Sequence, residues 1–412
     1  MQRRVAALFY PLQKLSNLRA SRTLRCISSN RIPHHHRIET CKPRRILAPM
    51  NARGFLVALL LTNAFALHAQ SSATPSMPAV WQMQNSGTTA SLRGIVSVDG
   101  LMAWASGTGG TVLRTLDGGQ HWQKCTVPDA DKDGATLDFR GVQAWDADTA
   151  IVMASGPGYK SRLYKTTDGC RTWKLLFTNP DKDGFWDALS VADQANLLLL
   201  GDPVAGMFTV IESVDGGLNW KKQKSSGLAS RASEGAFAAS NSSALVNWVD
   251  GFFAFGTGSE EGARVFTECE TCSADLHWKQ VVVPGFSRSK SAGIFSLGAR
   301  DGRQWIAVGG DYTKPNEASG TAAYTLDGGL HWAAAEKPPH GYRSTVQWWE
   351  AEKLWITAGT NGSDSSSDNG RTWQALDDGN WNALSLPFIV GPKGRIARID
   401  TEALRRQAGP TR

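Results

Sequence analysis

The feature that most constrains this chain is a short turn motif, [ST]-x-D-x-G-x-x-W, that recurs along the sequence. Its five clear copies lie at 115–122, 166–173, 213–220, 325–332 and 366–373, and the second of them has Cys170 in place of the Gly. A sixth copy, at 271–278, has lost its Asp. The motif tryptophans are spaced by 41 to 58 residues, a period typical of one propeller blade. The pattern therefore predicts one repeat architecture rather than two ordinary domains.

Each residue type in the motif has a structural role. The Asp carboxylate accepts backbone N–H bonds within its own turn, and the Gly adopts positive φ at little cost. The Trp opens the next strand and packs against a neighbouring sheet. We call these segments box turns; by themselves they indicate no catalysis. Their Asp and Trp residues are Asp117, Trp122, Asp168, Trp173, Asp215, Trp220, Asp327, Trp332, Asp368 and Trp373.

The stretch around each box turn reads as four short strands. In the second repeat these are 139–144, 149–154, 162–166 and 173–177. Four antiparallel strands per repeat define the blade of a propeller. No stretch shows sustained helical periodicity, so we expect an all-β protein.

The two ends of the repeat region complement each other. Trp81 lies 41 residues before Trp122, one blade step, and no box turn precedes it. After the last box turn the sequence predicts three strands and no closing Trp. We therefore predict a seven-bladed β-propeller of four-stranded antiparallel blades over 81–400. The N-terminal strand completes the last blade and leaves no open edge. Residues 401–412 are expected to be a disordered tail.

Residues 50–69 have the three parts of a signal peptide. A short basic start is followed by an apolar run at 55–66, which is too short for a membrane span. Small residues then predict cleavage after Ala66 or Ala69. We expect export to the periplasm or the cell exterior, with residues 70–80 as a linker and no transmembrane segment.

Residues 1–49 precede this signal peptide and carry 11 Lys and Arg against one acidic residue. We interpret them as a mis-called start before Met50; the alternative is a disordered basic arm. Without residues 1–69 the chain has 32 basic and 36 acidic residues, a net charge of −4 in place of +7. The basic balance therefore comes from the N-terminal residues, and nucleic-acid binding is not expected.

The cysteines that follow the signal peptide are Cys125, Cys170, Cys269 and Cys272. Disulfides are permitted in an exported protein, and the close pair Cys269 and Cys272 is a candidate bridge across a turn. No second ligand pair accompanies it, so zinc is not predicted. The loop at 129–140 imitates the start of a calcium loop but ends on Arg140 instead of Glu. We predict no metal and no cofactor.

The box turns, together with blade motifs at 201–203, 256–258, 309–312, 341–344 and 361–364, resemble those of the photosystem II stability/assembly factor-like family. That family is a branch of the Asp-box (BNR) repeat superfamily, to which the sialidases also belong. The resemblance covers residues 81–400. It implies a lumenal or periplasmic scaffold that binds protein and requires no cofactor. We expect a protein partner and a monomeric chain.

Topology predicts where a ligand binds. Turns between third and fourth strands share one rim with the box turns, whereas turns between second and third strands share the opposite rim. Side chains of that opposite rim are expected to converge on one mouth of the channel, the default place for a pocket. The leading hypothesis is non-catalytic binding of a partner there. The candidates are Asp202, Glu260, Arg264, Asp311, Tyr312, Tyr342, Arg343, Asn361 and Asp364.

The alternative is a sialidase-like glycoside hydrolase or a carbohydrate-binding propeller. Asp202 with Glu260 or Asp311 meets the minimum of two carboxylates for glycoside hydrolysis, and Tyr312 or Tyr342 is a candidate nucleophile. A sialidase also needs arginines for the substrate carboxylate, for which Arg264 and Arg343 are candidates. The Arg-Ile-Pro sequence typical of sialidases does occur in this chain. It stands at 31–33, before the signal peptide, and not in the first blade. The complete catalytic set is therefore not found.

Overall fold

The computed structural model describes residues 79–247, 252–268 and 278–408. Within these residues, 28 strands pair into seven four-stranded antiparallel sheets. No helix in the described part is long and apolar enough to cross a membrane. The predicted signal peptide, residues 1–49, Cys269 and Cys272 lie outside the described residues.

The seven sheets are the blades of a propeller, and the first strand of each blade is the innermost, next to the channel. The strands of the first half are β1 (Trp81–Met83); in blade 1, β2 (Leu92–Ser97), β3 (Ala103–Gly107), β4 (Val112–Thr115) and β5 (Gln123–Lys124); in blade 2, β6 (Phe139–Ala144), β7 (Ala150–Ala154), β8 (Arg162–Thr166) and β9 (Lys174–Thr178); in blade 3, β10 (Trp186–Val191), β11 (Leu197–Val204), β12 (Met207–Ser213) and β13 (Lys221–Lys222).

The remaining strands follow the same order, and a helix ends the described chain. They are, in blade 4, β14 (Ala244–Asn247), β15 (Phe252–Gly256), β16 (Arg264–Glu268) and β17 (Trp278–Val282); in blade 5, β18 (Ala292–Ala299), β19 (Trp305–Asp311), β20 (Ala322–Thr325) and β21 (Ala333–Ala334); in blade 6, β22 (Thr345–Trp349), β23 (Leu354–Gly359), β24 (Gly362–Ser366) and β25 (Gln374–Asp377); in blade 7, β26 (Ala383–Ser385), β27 (Phe388–Val390) and β28 (Ile396–Ile399); and α1 (Thr401–Ala408).

The apolar core of the described residues is divided into seven clusters, each lying between two adjacent blades. Between blades 5 and 6, for example, Ile306 and Val308 belong to one cluster with Trp355 and Trp373. Burying one large apolar side chain contributes about 1.5–3 kcal/mol relative to leaving it exposed. Because every interface repeats this packing, the ring is stabilised around its whole circumference.

The N-terminal strand closes the ring as predicted. β1 pairs antiparallel with β28, which places Trp81 opposite Ile399 and Met83 opposite Ala397. The indole Nε1 of Trp81 also donates a hydrogen bond to Ser363 Oγ in blade 6, at 2.8 Å. The predicted seven-bladed propeller of four-stranded blades is confirmed.

One prediction for the C-terminal end is wrong. Residues 401–408 form α1 instead of a disordered tail. Asp400 caps its start, because Oδ1 accepts the N–H of Ala403 at 2.9 Å. Leu404 is fully buried in the cluster between blades 6 and 7. A helix of about two turns is too short to show periodicity in the sequence, and this one is held by its contact with the propeller.

The box turns have the predicted hydrogen bonds. In the third copy, Asp215 Oδ1 accepts the backbone N–H groups of Leu218 and Asn219 at 3.0 and 2.9 Å. Ser213 Oγ accepts the N–H of Gly217, whose φ is +90°. Donation from the backbone and side chain of Asn219 lowers the pKa of Asp215 to about 2. The turn is therefore organised around an ionised carboxylate.

A disulfide between Cys125 and Cys170 joins blades 1 and 2. Cys170 stands in the second box turn, where the other clear copies have Gly, and it keeps a positive φ of +62°. The Cα atoms are 5.4 Å apart although 45 residues separate the two cysteines in sequence. The sequence did not predict this pair, because only the packing of two blades brings the two residues together.

Candidate functional site

The central channel has two mouths, which the direction of the innermost strands distinguishes. In every blade the innermost strand ends at the rim that carries the turn from the third to the fourth strand. The box turns lie on that rim, and we call its opening the box mouth. The opening at the starts of the innermost strands is the far mouth, where the sequence predicts a ligand.

The far mouth holds a cavity of about 400 Å³ to which all seven blades contribute. Cavities that bind small ligands enclose roughly 300–1,000 Å³, so this one can take a side chain or a short segment. Its lining is charged near blades 1 to 3 and largely aromatic near blades 4 to 6. The lining residues are Arg93, Arg140, Phe185, Asp187, Asp202, Ala236, Phe237, Ala238, Ala239, Phe295, Tyr312, Tyr342, Ser344, Thr360 and Asn382.

β-Bulges place four of these side chains at the cavity. The pairing of β2 with β3 skips Arg93, and that of β6 with β7 skips Arg140. The same irregularity occurs at Asp187 in β10 and at Phe295 in β18. A bulge leaves its extra residue outside the ladder and re-aims the side chain. One structural position, repeated in four blades, therefore presents four side chains to the far mouth.

Two carboxyl groups lie in this cavity. Asp187 is 1% exposed, and its Oδ2 has no hydrogen-bond partner among the described residues. Burial and the neighbouring Asp202 raise the pKa of Asp187 well above its usual value, and Arg140 offsets only part of this. Asp202 accepts the N–H of Ala236 at 3.1 Å, and burial raises its pKa to about 6. Perturbed carboxyl groups in a cleft are typical of functional sites.

Two guanidinium groups also line the cavity. Arg140 Nε donates to Asp138 Oδ2 at 2.7 Å, and its Nη1 donates to the carbonyl of Ala238 at 3.2 Å. The Nε of Arg93 is buried and has no hydrogen-bond partner within the part of the chain that the structure describes. Burial, followed by the charge of Arg140, lowers the pKa of Arg93. The charges of this mouth are therefore only partly matched within the protein.

The remaining wall is aromatic. Phe237 stacks on Phe295 with ring centroids 3.8 Å apart. Tyr342 and Tyr312 meet Phe295 edge-on, with centroids at 4.8 and 6.1 Å. Tyr342 is buried, which raises its pKa, whereas Tyr312 is 55% exposed at the lip of the cavity. This wall combines apolar faces with one accessible aromatic ring.

Three of the predicted site residues, Asp202, Tyr312 and Tyr342, line the far-mouth cavity. They come from blades 3, 5 and 6, so the predicted convergence of separate blades on this mouth occurs for them. The other predicted residues lie outside the lining of the cavity. Their positions show why charge in a turn motif does not by itself indicate a ligand site.

Arg343, Asp364 and Asn361 form a buried network within blade 6. Arg343 Nε donates to Asp364 Oδ2 at 2.7 Å, and its Nη1 donates to Asn361 Oδ1 at 2.6 Å. His340 joins them through Nδ1, 2.8 Å from Asp364 Oδ1. Burial raises the pKa of Asp364, but its bonds with His340 and Arg343 outweigh burial and lower it. The charges of this network are therefore engaged within the blade.

Arg264 is also engaged inside the protein. Its Nε donates to Glu234 Oε1 at 2.8 Å, and both side chains are buried. Thr257 donates to the same oxygen at 2.6 Å. The guanidinium lies over the ring of Phe266, 4.6 Å from its centroid. This ion pair fixes the start of β16 and lies away from the lining of the far mouth.

Asp311 and Glu260 do not join Asp202. Asp311 Oδ1 accepts hydrogen bonds from Ser291 Oγ at 2.7 Å and from the N–H of Thr313 at 3.0 Å. Burial raises the pKa of Asp311, but such bonds outweigh it and lower the pKa to about 2. Glu260 is exposed on a turn. The two carboxylate pairs suggested by the sequence are therefore not assembled in this cavity.

The residues predicted for the site did not include Arg93, Arg140 and Asp187, although the sequence contains a signal for them. Each follows a large apolar residue at the start of an innermost strand, in Leu-Arg-Gly, Phe-Arg-Gly and Trp-Asp-Ala. A charged residue recurring at one position of otherwise apolar strands indicates a shared polar location. The turn motifs are the stronger local pattern, and they obscure this strand position.

The box mouth differs from the far mouth in chemistry. Its cavity, of about 260 Å³, is lined by aliphatic residues with Ser, Thr, Asn and Gln; among the described residues no charged side chain lines it. The segment 236–242 contributes to both cavities. Within it, Asn241 Nδ2 donates to the carbonyl of Leu189 at 2.9 Å, and Ser240 Oγ donates to that of Ser344 at 2.6 Å. The segment that leads into blade 4 therefore lies between the two mouths and is held there by hydrogen bonds to blades 3 and 6.

The fold and the site define a seven-bladed β-propeller with one charged and aromatic mouth. No protein-family model matches the sequence, and no curated protein sequence is significantly similar to it. Among solved structures, the chain is similar to YCF48 from Cyanidioschyzon merolae, with a TM-score of 0.56 and 18% identity, covering 79% of this chain and 100% of that chain. It is also similar to YCF48 bound to D1 peptide, with a TM-score of 0.54 and 17% identity, covering 79% and 99%.

YCF48 is a photosystem II assembly factor, so the likeness predicted from the sequence motifs is confirmed at the level of structure. At these identities the likeness shows the fold alone. A GH74 xyloglucanase from Xanthomonas campestris aligns with a TM-score of 0.35 and 15% identity, over 76% of this chain and 53% of that chain. That score is too low to support the glycosidase alternative.

Proposed function

We propose that this chain is an exported, non-catalytic propeller that holds a segment of a partner protein at its far mouth. The observation that carries the proposal is the far-mouth cavity, where blades supply different side chains from equivalent positions. A site built on strands is held more rigidly than one built on loops. That rigidity suits a scaffold, which binds without rearranging.

The aromatic wall supports a protein partner. Tyr and Trp are enriched among the side chains that carry most of the energy of protein interfaces. Tyr312 at the lip is accessible, and Phe295 and Tyr342 behind it are fixed by ring contacts. YCF48, which has a similar fold, has been solved with a D1 peptide bound. A propeller of this shape is thus suited to accept a peptide segment.

The test is selection of peptides from a random library on the immobilised full chain, followed by affinity measurement on two variants. Tyr312→Ser removes the exposed ring at the far mouth. Tyr159→Ser is the matched control, because Tyr159 is 62% exposed on the same rim but does not line the cavity. We expect Tyr312→Ser alone to weaken binding by about tenfold or more. Equal affinity of both variants, or no selected peptide, contradicts the proposal.

The glycosidase alternative is favoured by one observation, the raised pKa of Asp202 beside Asp187. A general acid in glycoside hydrolysis needs a raised pKa and a second carboxyl group nearby. Turnover of fluorogenic glycosides by the wild-type chain, lost in Asp202→Asn, supports this alternative. Absence of turnover on a broad glycoside panel removes it.

Export and a monomeric state are part of the proposal. The signal-peptide pattern at 50–69 supports export, and the disulfide between Cys125 and Cys170 suits an oxidising compartment. N-terminal sequencing of exported protein is expected to begin at Leu67 or Gln70. Light scattering of the same sample tests whether the chain is a monomer.

A further inference from the structure

The far mouth has more carboxyl groups than guanidinium groups. Two guanidinium groups, of Arg93 and Arg140, accompany three carboxyl groups, of Asp138, Asp187 and Asp202. Asp138 is bonded to Arg140, which leaves one guanidinium against the carboxyl pair of the cavity. If all five groups are ionised, the cluster carries one uncompensated negative charge. A buried cluster avoids such a charge by keeping one carboxyl group protonated.

Asp187 is the carboxyl group that stays protonated. It is the bulged residue of β10, and its side chain is almost fully buried. Its Oδ2 lacks a partner among the described residues, and the residue lines the cavity. Buried polar atoms without partners are rare, and each one calls for an explanation. A ligand atom that supplies the missing bond provides one.

The kind of ligand follows from this arrangement. An anion beside the carboxyl pair increases the repulsion. A neutral acceptor can bond the protonated form of Asp187 but cannot compensate the charge of Asp187 once it ionises. A primary ammonium group carries one positive charge and three donors, so it can bond both carboxyl groups in their ionised forms and compensate the charge that Asp187 gains.

We propose that the far mouth binds a primary ammonium group, the end of a lysine side chain of the partner segment, between Asp187 and Asp202. This inference rests on the proposed function, since it assigns chemistry to the same site. The two carboxyl groups accept N–H bonds from the ammonium group. The proposal thereby identifies which part of a partner enters the cavity.

The aromatic wall provides the place for the lysine stem. Phe237 and Phe295 present apolar faces in the same cavity as the carboxyl pair. The methylene groups of lysine pack on such surfaces while the charged end reaches a polar site. Tyr312 at the lip adds an aromatic face that attracts a cation. The alkyl and cationic parts of one side chain thus meet matching parts of one cavity.

Binding of the ammonium group is accompanied by release of a proton from Asp187. The proton leaves to solvent, and the ammonium charge replaces it, so the net charge of the cluster is the same before and after binding. The charged and titratable groups around Asp187 are Asp202 on β11, Arg140 on β6, Arg93 on β2, Asp138 before β6, Tyr312 after β19 and Tyr342 before β22.

The experiment is isothermal titration calorimetry of the full chain with N-acetyl-lysine N-methylamide at neutral pH. The comparison probe is the same compound acetylated on Nε, which keeps the stem and removes the charge. We expect the acetylated probe to bind about tenfold more weakly or worse. We also expect the binding enthalpy to differ between phosphate and Tris, because each buffer takes up the released proton with a different heat. The difference is expected to correspond to about one proton per bound probe.

Variants of the carboxyl pair complete the experiment. Asp187→Asn and Asp202→Asn are expected to weaken binding of the lysine probe by about tenfold or more, and Asp187→Asn abolishes the buffer dependence. Because Asn imitates a protonated carboxyl group, both variants are expected to unfold at or above the wild-type temperature. Glu260→Gln removes an exposed carboxylate from the same rim; it is the control and leaves binding unchanged.

Three outcomes overturn the inference: no binding of the lysine probe, equal binding of the acetylated probe, or unchanged binding by Asp187→Asn. These outcomes are separable from failure of the proposed function. One result would support the proposed function and reject the ammonium site. It is a library-selected peptide that requires Tyr312 but contains no lysine, or whose affinity is insensitive to Asp187→Asn.

Discussion

The two rims of this propeller treat the same residue type in opposite ways. In the box turns an aspartate is bonded by its own turn and held ionised. Burial raises the pKa of Asp327, for example, but bonds from His331 outweigh burial and lower it to about 2. In the far mouth, burial raises the pKa of Asp202 to about 6. The first arrangement stabilises the fold at neutral pH, and the second costs stability there.

The difference teaches how a repeat protein separates stability from binding. The box turns are near copies, because every blade needs the same strand-to-strand turn. The bulged position of the innermost strands holds Arg93, Arg140, Asp187 and Phe295 in four different blades. The repeated box turns stabilise the ring, whereas the site is formed where the side chains at one strand position differ between blades.

The largest effect is expected from breaking the ion pair of Arg343 and Asp364, which does not line the far-mouth cavity. It tests whether these charges stabilise the fold instead of binding a ligand. Arg343→Met removes the guanidinium that bonds Asp364 and leaves that carboxylate buried with only His340 beside it, which is expected to lower the free energy of unfolding by ~3–5 kcal/mol. Urea unfolding at neutral pH measures this loss. The double variant Arg343→Met/Asp364→Leu is expected to recover most of it. A loss below about 1 kcal/mol, the range of exposed pairs, contradicts the structural assignment.

The disulfide gives the next effect and concerns the box rim. Cys125→Ser/Cys170→Ser opens a loop defined by a separation of 45 residues, and we expect a loss of ~4 kcal/mol on chain-entropy grounds. Thermal unfolding of the variant and the wild type measures it. Cys125→Ser/Cys170→Gly is expected to lose about 1 kcal/mol less, because Gly suits the positive φ at this turn. Equal losses would falsify the expectation that the positive φ of Cys170 costs stability.

Asp202→Asn is expected to stabilise the protein, and only above acidic pH. Since the folded pKa of Asp202 is raised, both states are protonated below about pH 4 and no cost arises. The cost grows as pH rises toward 6 and is complete above it, at most ~3 kcal/mol for a pKa moved from 3.8 to about 6. Unfolding temperatures of variant and wild type at pH values on either side of this window measure the gap. A gap that is the same on both sides contradicts this account.

The smallest effect is expected for a box-turn carboxylate. Asp368→Ala removes an acceptor for the N–H and hydroxyl of Thr372, at 2.9 and 2.6 Å. Because the group is only partly buried and its bonds lie within one turn, we expect a loss of about 1 kcal/mol or less. Its pKa is lowered, so this contribution is present above the usual Asp range and disappears as pH falls through the folded pKa. Peptide affinity at the far mouth is expected to stay unchanged; a weakened affinity would show that the two rims are coupled.

The blade count and the closure of the ring were predictable from local pattern. The spacing of the box tryptophans and the orphan Trp81 indicated seven blades closed by β1, and the pairing of Trp81 with Ile399 confirms it. The turn motifs were less informative about the site. Arg343 and Asp364 were candidates for a ligand face, yet they bond to each other inside blade 6.

What the sequence determined by itself is the repeat: which residues form box turns, how many blades result and how the ends meet. The box turns and the blade count depend on contacts within one turn or one blade step, and the ends are matched because one lacks the strand that the other supplies, so the sequence alone reveals these features. What the tertiary structure decided is which side chains share the far mouth. Arg93, Asp187 and Phe295 are about 90 to 200 residues apart, and bulges in separate blades bring them to one cavity. Local pattern marks the shared strand position in Leu-Arg-Gly, Phe-Arg-Gly and Trp-Asp-Ala, but it does not show that these side chains meet, because they meet only when the ring closes.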